Sequence, residues 1–177
     1  NWARIIAQAV YYFYAHFELE KDNISFSVPT GNFGDVFAGY LAKKMGLPID
    51  KLIVATNEND ILHRAITKGD YISKEVRETL SPSMDIQLAS NFERLIYYVN
   101  HSNSEKTAEI MKKVKQNSYQ IEKRDLDIIQ KDFLSESCNE KETLGIIKKN
   151  YEENGMVLDP HTAIGVGAAQ KLSLNDC

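Results

Sequence analysis

Cysteine is nearly missing from the sequence: two in 177 residues, Cys138 and Cys177. Neither a disulfide scaffold nor a cysteine-based zinc site is expected from so few, and a reducing, cytoplasmic setting fits best. There is no apolar run approaching the roughly 18 residues of a membrane helix, so no membrane span is expected. There is no excess of positive charge either. Lys and Arg total 21 against 25 Asp and Glu, a net charge of −4, without the basic stripe of a nucleic-acid binder. His16, His63 and His101 share no metal-ligand spacing with one another or with either cysteine, so no metal site is expected. The first residues, Asn1-Trp2-Ala3-Arg4, open on an amphipathic pattern and lack the build of a signal peptide.

What remains is an ordinary globular composition, 43% hydrophobic and 26% charged, long enough for one domain with a sizeable core. The chain starts without Met and inside a helical pattern, from which a piece of something longer is expected. Trp2, Ile5, Ile6, Ala9, Val10, Phe13 and Phe17 recur at helical spacing and predict a helix over 2–17 with a broad apolar face. Ile24 to Val28 alternates as a strand does and is stopped by Pro29. A Gly-rich turn follows, then a helix ending at Gly46, then the continuous apolar run Leu52 to Ala55 of a strand covered on both faces. Residues 24–56 therefore read as a βαβ unit.

Asn57 to Lys68 suits another helix, with Asn57 or Asn59 as its cap and Gly69 as its stop. Residues 70–84 read as irregular, with room for a helical turn at 74–78, and 86–99 read as helical. From Glu105 to about Glu153 the sequence is rich in Lys and Glu, with Leu126, Ile129, Phe133, Leu134, Leu144 and Ile147 at helical spacing. A small helical subdomain is expected there. Asp159-Pro160 opens a last helix thick in small residues.

The strongest local signal is Val28-Pro29-Thr30-Gly31-Asn32-Phe33-Gly34-Asp35. A strand that feeds a Gly-rich turn and a helix N-terminus presents backbone N–H groups that the helix cannot satisfy, and these suit a phosphate. The spacing is neither the GxGxxG of dinucleotide-binding folds nor a P-loop. On local grounds an ordinary βα turn, with glycines for tight packing, competes evenly with a phosphate cradle.

The heptad Pro29 to Asp35 closely resembles the pyridoxal-phosphate (PLP) phosphate loop of threonine synthases. Asn1 to Arg4, Met45 to Ile49, Ala55 to Asp60, Thr79 to Ile86, Ser90 to Leu95 and Asp159 to Ala163 resemble the same family, in family order. Residues 105–155 are not diagnostic. The resemblance implies an α/β fold, part of the tryptophan-synthase-β-like PLP fold (fold type II), with a βαβ unit, few parallel strands and a helical insertion. It divides the chain into a PLP-phosphate-binding part at 1–104, a helical insertion at 105–155 and a return helix at 156–177. It implies conversion of O-phospho-L-homoserine and water into L-threonine and phosphate, with PLP as cofactor.

Position by position, the resemblance implies that the N–H groups of Gly31, Asn32, Phe33, Gly34 and Asp35 cradle the PLP phosphate. Asn32 and Arg4 would bind the substrate phosphate, Asn1 would be a further substrate contact, and Thr162 would bond the pyridine nitrogen. Asp35 stands where some relatives have Asn, so a carboxylate next to a dianion must turn its charge away or have it offset. His161 reads as structural, and Ser83 and Asp85 carry no assigned role. No lysine here sits in the context of the family's Schiff-base lysine, which is expected upstream. The resemblance therefore implies a fragment cut at both ends and inactive alone, its sheet left with an open edge. Two other readings stay open: a non-catalytic phosphate-binding module, and another PLP lyase of the same fold such as a threonine dehydratase. Arg4 argues against the dehydratase, whose substrate carries no phosphate.

Overall fold

In the computed structural model, which describes residues 2–173, a parallel three-stranded sheet is flanked by helices on both faces. Helix α1 (Trp2–Leu19) precedes β1 (Ile24–Pro29), α2 (Gly34–Lys44), β2 (Ile49–Thr56) and α3 (Ile61–Lys68). A one-turn 3-10 helix at Pro82–Met84 is followed by α4 (Phe92–Val99), α5 (Ser104–Lys115), α6 (Lys123–Asp132), β3 (Phe133–Ser137), α7 (Glu140–Asn154) and α8 (Pro160–Lys171). The sheet order is β1-β2-β3, with β2 parallel to both neighbours. This bears out the α/β class and the βαβ unit.

The apolar run of β2 faces two ways because successive side chains alternate across a sheet. Leu52 and Val54 join the large core with α1, α2, α3, α4 and α6, whereas Ile53 and Ala55 join a smaller one with Met84, Cys138, Ile164 and Ala168. Helix α8 reaches the second face closely because its residues are small. A Cβ on Gly167 would lie 2.4 Å from Ile146 Cδ1 and 2.8 Å from Cys138 Sγ.

The sheet departs from the sequence reading at β3. Phe133 and Leu134 continue the helical spacing of Leu126 and Ile129, yet α6 stops at Asp132 and the next five residues pair with β2. Phe133 lies opposite Leu52, is 1% exposed, and packs on the rings of Phe33 and Tyr40. Burying that ring is worth about 2–3 kcal/mol, and Ser135 Oγ adds a bond to the Val54 carbonyl at 2.6 Å. Partners distant in sequence override the local spacing. The tract from 105 is thus interrupted by a strand, and its Ile110, Val114 and Ile129 belong to the main core.

Three boundaries also differ. Helix α3 begins after Asp60, and neither Asn57 nor Asn59 caps it; both are buried and tie down residues 77–85, as described below. Residues 74–78 form no helical turn. Helix α4 starts only at Phe92, because Asn91 N–H donates to Asn32 O and Ala89 N–H donates to the Tyr71 hydroxyl. Those contacts hold 86–91 off a helical path. The apolar face of α1 is buried along Ile5, Ala9 and Tyr12 and partly covered at Phe13; Ile6, Val10 and Phe17 are exposed.

Candidate phosphate and cofactor site

Strand β1 ends on a clamp: Thr30 N–H donates to Ala55 O at 2.8 Å and its hydroxyl to Val28 O at 2.6 Å. The chain then turns under Ser83, whose carbonyl oxygen lies beside Gly31. Asn32 is anchored through its own carbonyl, which accepts from Asn91 N–H at 3.1 Å and Asn91 Nδ2 at 3.0 Å. Phe33 occupies the left-handed region at φ 63°, rare for a large residue. Its ring is fully buried, edge-on to Phe92 at 5.1 Å and tilted on Phe133 at 5.7 Å, and that packing holds the strained backbone in place.

Helix α2 therefore starts at Gly34 without a side-chain cap. Among the described residues, the amide N–H groups of Gly31, Asn32, Phe33, Gly34 and Asp35 find no acceptor. They border a cavity of about 440 Å³ whose other walls are Arg4 and Gln8 from α1, Ser83 and Met84, Ser90 and Asn91, and His161 from α8. No lysine lines it. Unsatisfied donors at the positive end of a helix dipole, with a guanidinium opposite, form an anion site.

Among the described residues, Asp35 is the one carboxylate on this wall. The Tyr12 hydroxyl donates to its carbonyl at 3.1 Å and to its Oδ1 at 3.4 Å. Surrounding protein pushes the Asp35 acid up from the ordinary aspartate range, the Tyr12 bond opposing, although the residue still reaches solvent. Burial, with Asp35 adding to it, raises the Tyr12 phenol well above the tyrosine range, so Tyr12 stays a donor. The Asp35 charge is thereby turned toward Tyr12.

The structure brings Gly31 to Asp35 and Arg4 together. It does not bring Thr162 to the cavity wall: the Thr162 hydroxyl donates to Asp159 Oδ2, within the first turn of α8. Asn1 lies outside the described residues, as does Cys177. Two residues given no chemical role in the sequence do face the cavity. Ser83 Oγ is 2.6 Å from His161 Nε2, a contact across 78 positions that no local pattern signals. Among the described residues no His, Cys, Asp and Glu cluster could hold a metal, and no helix is long and apolar enough to cross a membrane.

The residues present fit the phosphate end of PLP. A row of open N–H donors, a glycine where a side chain would strike the Ser83 carbonyl, and an arginine opposite are the donor set such a dianion requires.

No protein-family model matches the chain. It is 46% identical to a threonine synthase of Saccharomyces cerevisiae, over 99% of its own length and 38% of that protein. It is 47% identical to the threonine synthase of Pseudomonas aeruginosa, over 97% of its length and 37% of that protein. Among solved structures it superposes on a PLP-bound threonine synthase from Brucella melitensis with a TM-score of 0.94 at 46% identity, covering 97% of this chain and 38% of that one. The threonine synthase of Escherichia coli is more distant, with a TM-score of 0.73 and 29% identity. The chain thus spans under two-fifths of the length of these curated relatives.

Proposed function

We propose that this chain, homologous over nearly its whole length to threonine synthases and folded as part of a PLP fold-type-II enzyme, carries the phosphate-binding half of an active site that converts O-phospho-L-homoserine and water into L-threonine and phosphate. The observation that supports this most directly is the row of unpartnered N–H groups from Gly31 to Asp35, which shares one cavity with Arg4.

When bound, PLP would supply the electron sink that allows protons to leave Cα and Cβ of the substrate. The residues here hold and orient. Gly31, Asn32, Phe33, Gly34 and Asp35 would grip the cofactor phosphate through main-chain donors that need no reorganisation. The side chains of Arg4 and Asn32 would hold the substrate phosphate, Arg4 through its planar two-pronged fork. Asn1, outside the described residues, would be a further substrate contact on the strength of the resemblance alone. Thr162 would reach the cofactor's ring nitrogen only by releasing Asp159, since its hydroxyl is engaged there. With no lysine on the cavity wall, these residues alone would bind phosphate without turning substrate over.

The test is to supply the full-length protein with PLP and O-phospho-L-homoserine and to measure L-threonine and inorganic phosphate. Equal release of both supports the reading. Release of neither from a correctly folded, PLP-loaded protein overturns it.

A further inference from the structure

Three side chains form a continuous chain, running back from the cavity wall, that the proposed chemistry leaves unused. Ser83 Oγ lies 2.6 Å from His161 Nε2, and His161 Nδ1 lies 3.1 Å from Asp159 Oδ1. Ser83 and His161 both line the cavity. Asp159 is held in place as the N-cap of α8, accepting from the His161 and Thr162 N–H groups. The Thr162 hydroxyl, together with those N–H groups, keeps its acid below the ordinary range, so it stays a carboxylate.

The polarity of such a chain is set by a single proton. With a neutral ring, Nδ1–H donates to Asp159 and Nε2 can only accept. Ser83 must then spend its one proton on His161 and turn lone pairs toward the cavity, where they repel an anion. With a protonated ring, both nitrogens donate. Ser83 accepts from His161, and its O–H is released to donate into the cavity.

We propose that Ser83, His161 and Asp159 form a proton-linked anion switch, in which a phosphate group entering the cavity is accompanied by protonation of His161 and reversal of the Ser83 hydroxyl. This rests on the reading of the cavity as a phosphate site. The charged groups facing the pair are Asp159 beside the ring and Arg4 and Asp35 on the cavity walls. The phosphate can be that of the cofactor or that of the substrate.

The experiment is calorimetric titration of the full-length protein with inorganic phosphate, in buffers of differing ionisation enthalpy, with and without bound PLP. The slope against buffer enthalpy counts the protons taken up. The parent protein takes up a fraction of a proton per phosphate. His161→Gln binds phosphate roughly 10- to 100-fold more weakly, as for loss of one charge-assisted bond, and takes up none. Ser83→Ala, which leaves the Asp159 cap intact, also loses uptake. Uptake in the PLP-loaded form assigns the switch to the substrate phosphate; uptake only in the PLP-free form assigns it to the cofactor phosphate. Phosphate binding without proton uptake in the parent, or equal uptake in His161→Gln, overturns the switch while leaving the phosphate site standing. Absence of phosphate binding in both forms overturns the site and the switch together.

Discussion

The backbone carbonyl of Ser83 occupies the space a side chain at position 31 would need: a Cβ on Gly31 would lie 2.4 Å from that oxygen. Two loops far apart in sequence thus meet main chain to main chain, and the phosphate turn is pressed into shape by the segment that also supplies Ser83 to the cavity.

Gly31→Ala must therefore push the two loops apart, since the atom it strikes belongs to a backbone and cannot rotate away. Overpacking of this kind costs about 1–3 kcal/mol. Denaturant unfolding of the full-length protein should show that loss. PLP affinity should fall further than stability does, because on the proposed reading the displaced N–H groups hold the cofactor phosphate.

Phe33 takes the opposite part, a large residue in a conformation that favours glycine. Phe33→Ala leaves a cavity among Phe92, Phe133 and the core and should destabilise by about 3–5 kcal/mol. Phe33→Gly relieves the backbone but empties the same space, so it should recover only a small part of that loss. A glycine variant as stable as the parent would show that the ring does not hold the turn.

Asp85 is the tie that keeps Ser83 in position. Its Oδ1 accepts from Asn57 Nδ2 at 2.7 Å, Asn59 Nδ2 at 2.9 Å and Thr79 Oγ1 at 2.7 Å, and its Oδ2 from Thr79 N–H at 2.8 Å. Asp85→Ala takes one acceptor from each of the buried Asn57 and Asn59 amides, which keep Ser81 and the Arg77 carbonyl as partners, and takes from Thr79 N–H the acceptor it has there, at about 1–3 kcal/mol for a group left unpaired. The expected result is a lower melting temperature together with faster amide exchange across 77–85.

The same residues explain what could be read from the sequence and what could not. Pro29, Gly31 and Gly34 act on the chain within a few positions of themselves, so the strand, turn and helix around them were legible. Asn57 and Asn59 look like helix caps because asparagine caps helices, but their partners are Arg77, Thr79, Ser81 and Asp85, some twenty residues on. Phe133 fits a helix until β2 offers it a strand partner. His161 stood out only as a histidine near a helix start, since its role depends on Ser83. In each case the deciding contact is non-local, and neither spacing nor propensity carries it.

His63 gives the fold a pH dependence of known sign. It is half-buried, with Nδ1 3.2 Å from Ser135 Oγ. Burial holds its imidazole below the ordinary value of 6.5, against the opposing pull of Glu136 and Asp60. In the window between the lowered folded value and 6.5, the unfolded chain binds more protons than the folded one. Stability is thus greatest above that window and falls as pH drops through it. His63→Gln should flatten this part of the stability profile, measured by urea unfolding across the pH range. An unchanged slope would assign the dependence to other groups.

On the proposed reading, Arg4 holds the substrate and not the fold. It sits on the exposed side of α1 and borders the cavity, so its removal should leave the melting temperature almost unchanged. The loss should fall on the substrate phosphate. Arg4→Ala removes a charge-assisted, two-pronged contact worth about 1.5–3 kcal/mol, roughly 10- to 100-fold in affinity for O-phospho-L-homoserine. Arg4→Lys keeps the charge but not the fork, and should recover only part of it. PLP affinity should stay put in both variants, because the cofactor phosphate is assigned to main-chain donors across the cavity. Equal losses for substrate and cofactor would place Arg4 on the cofactor phosphate and exchange the two phosphate positions.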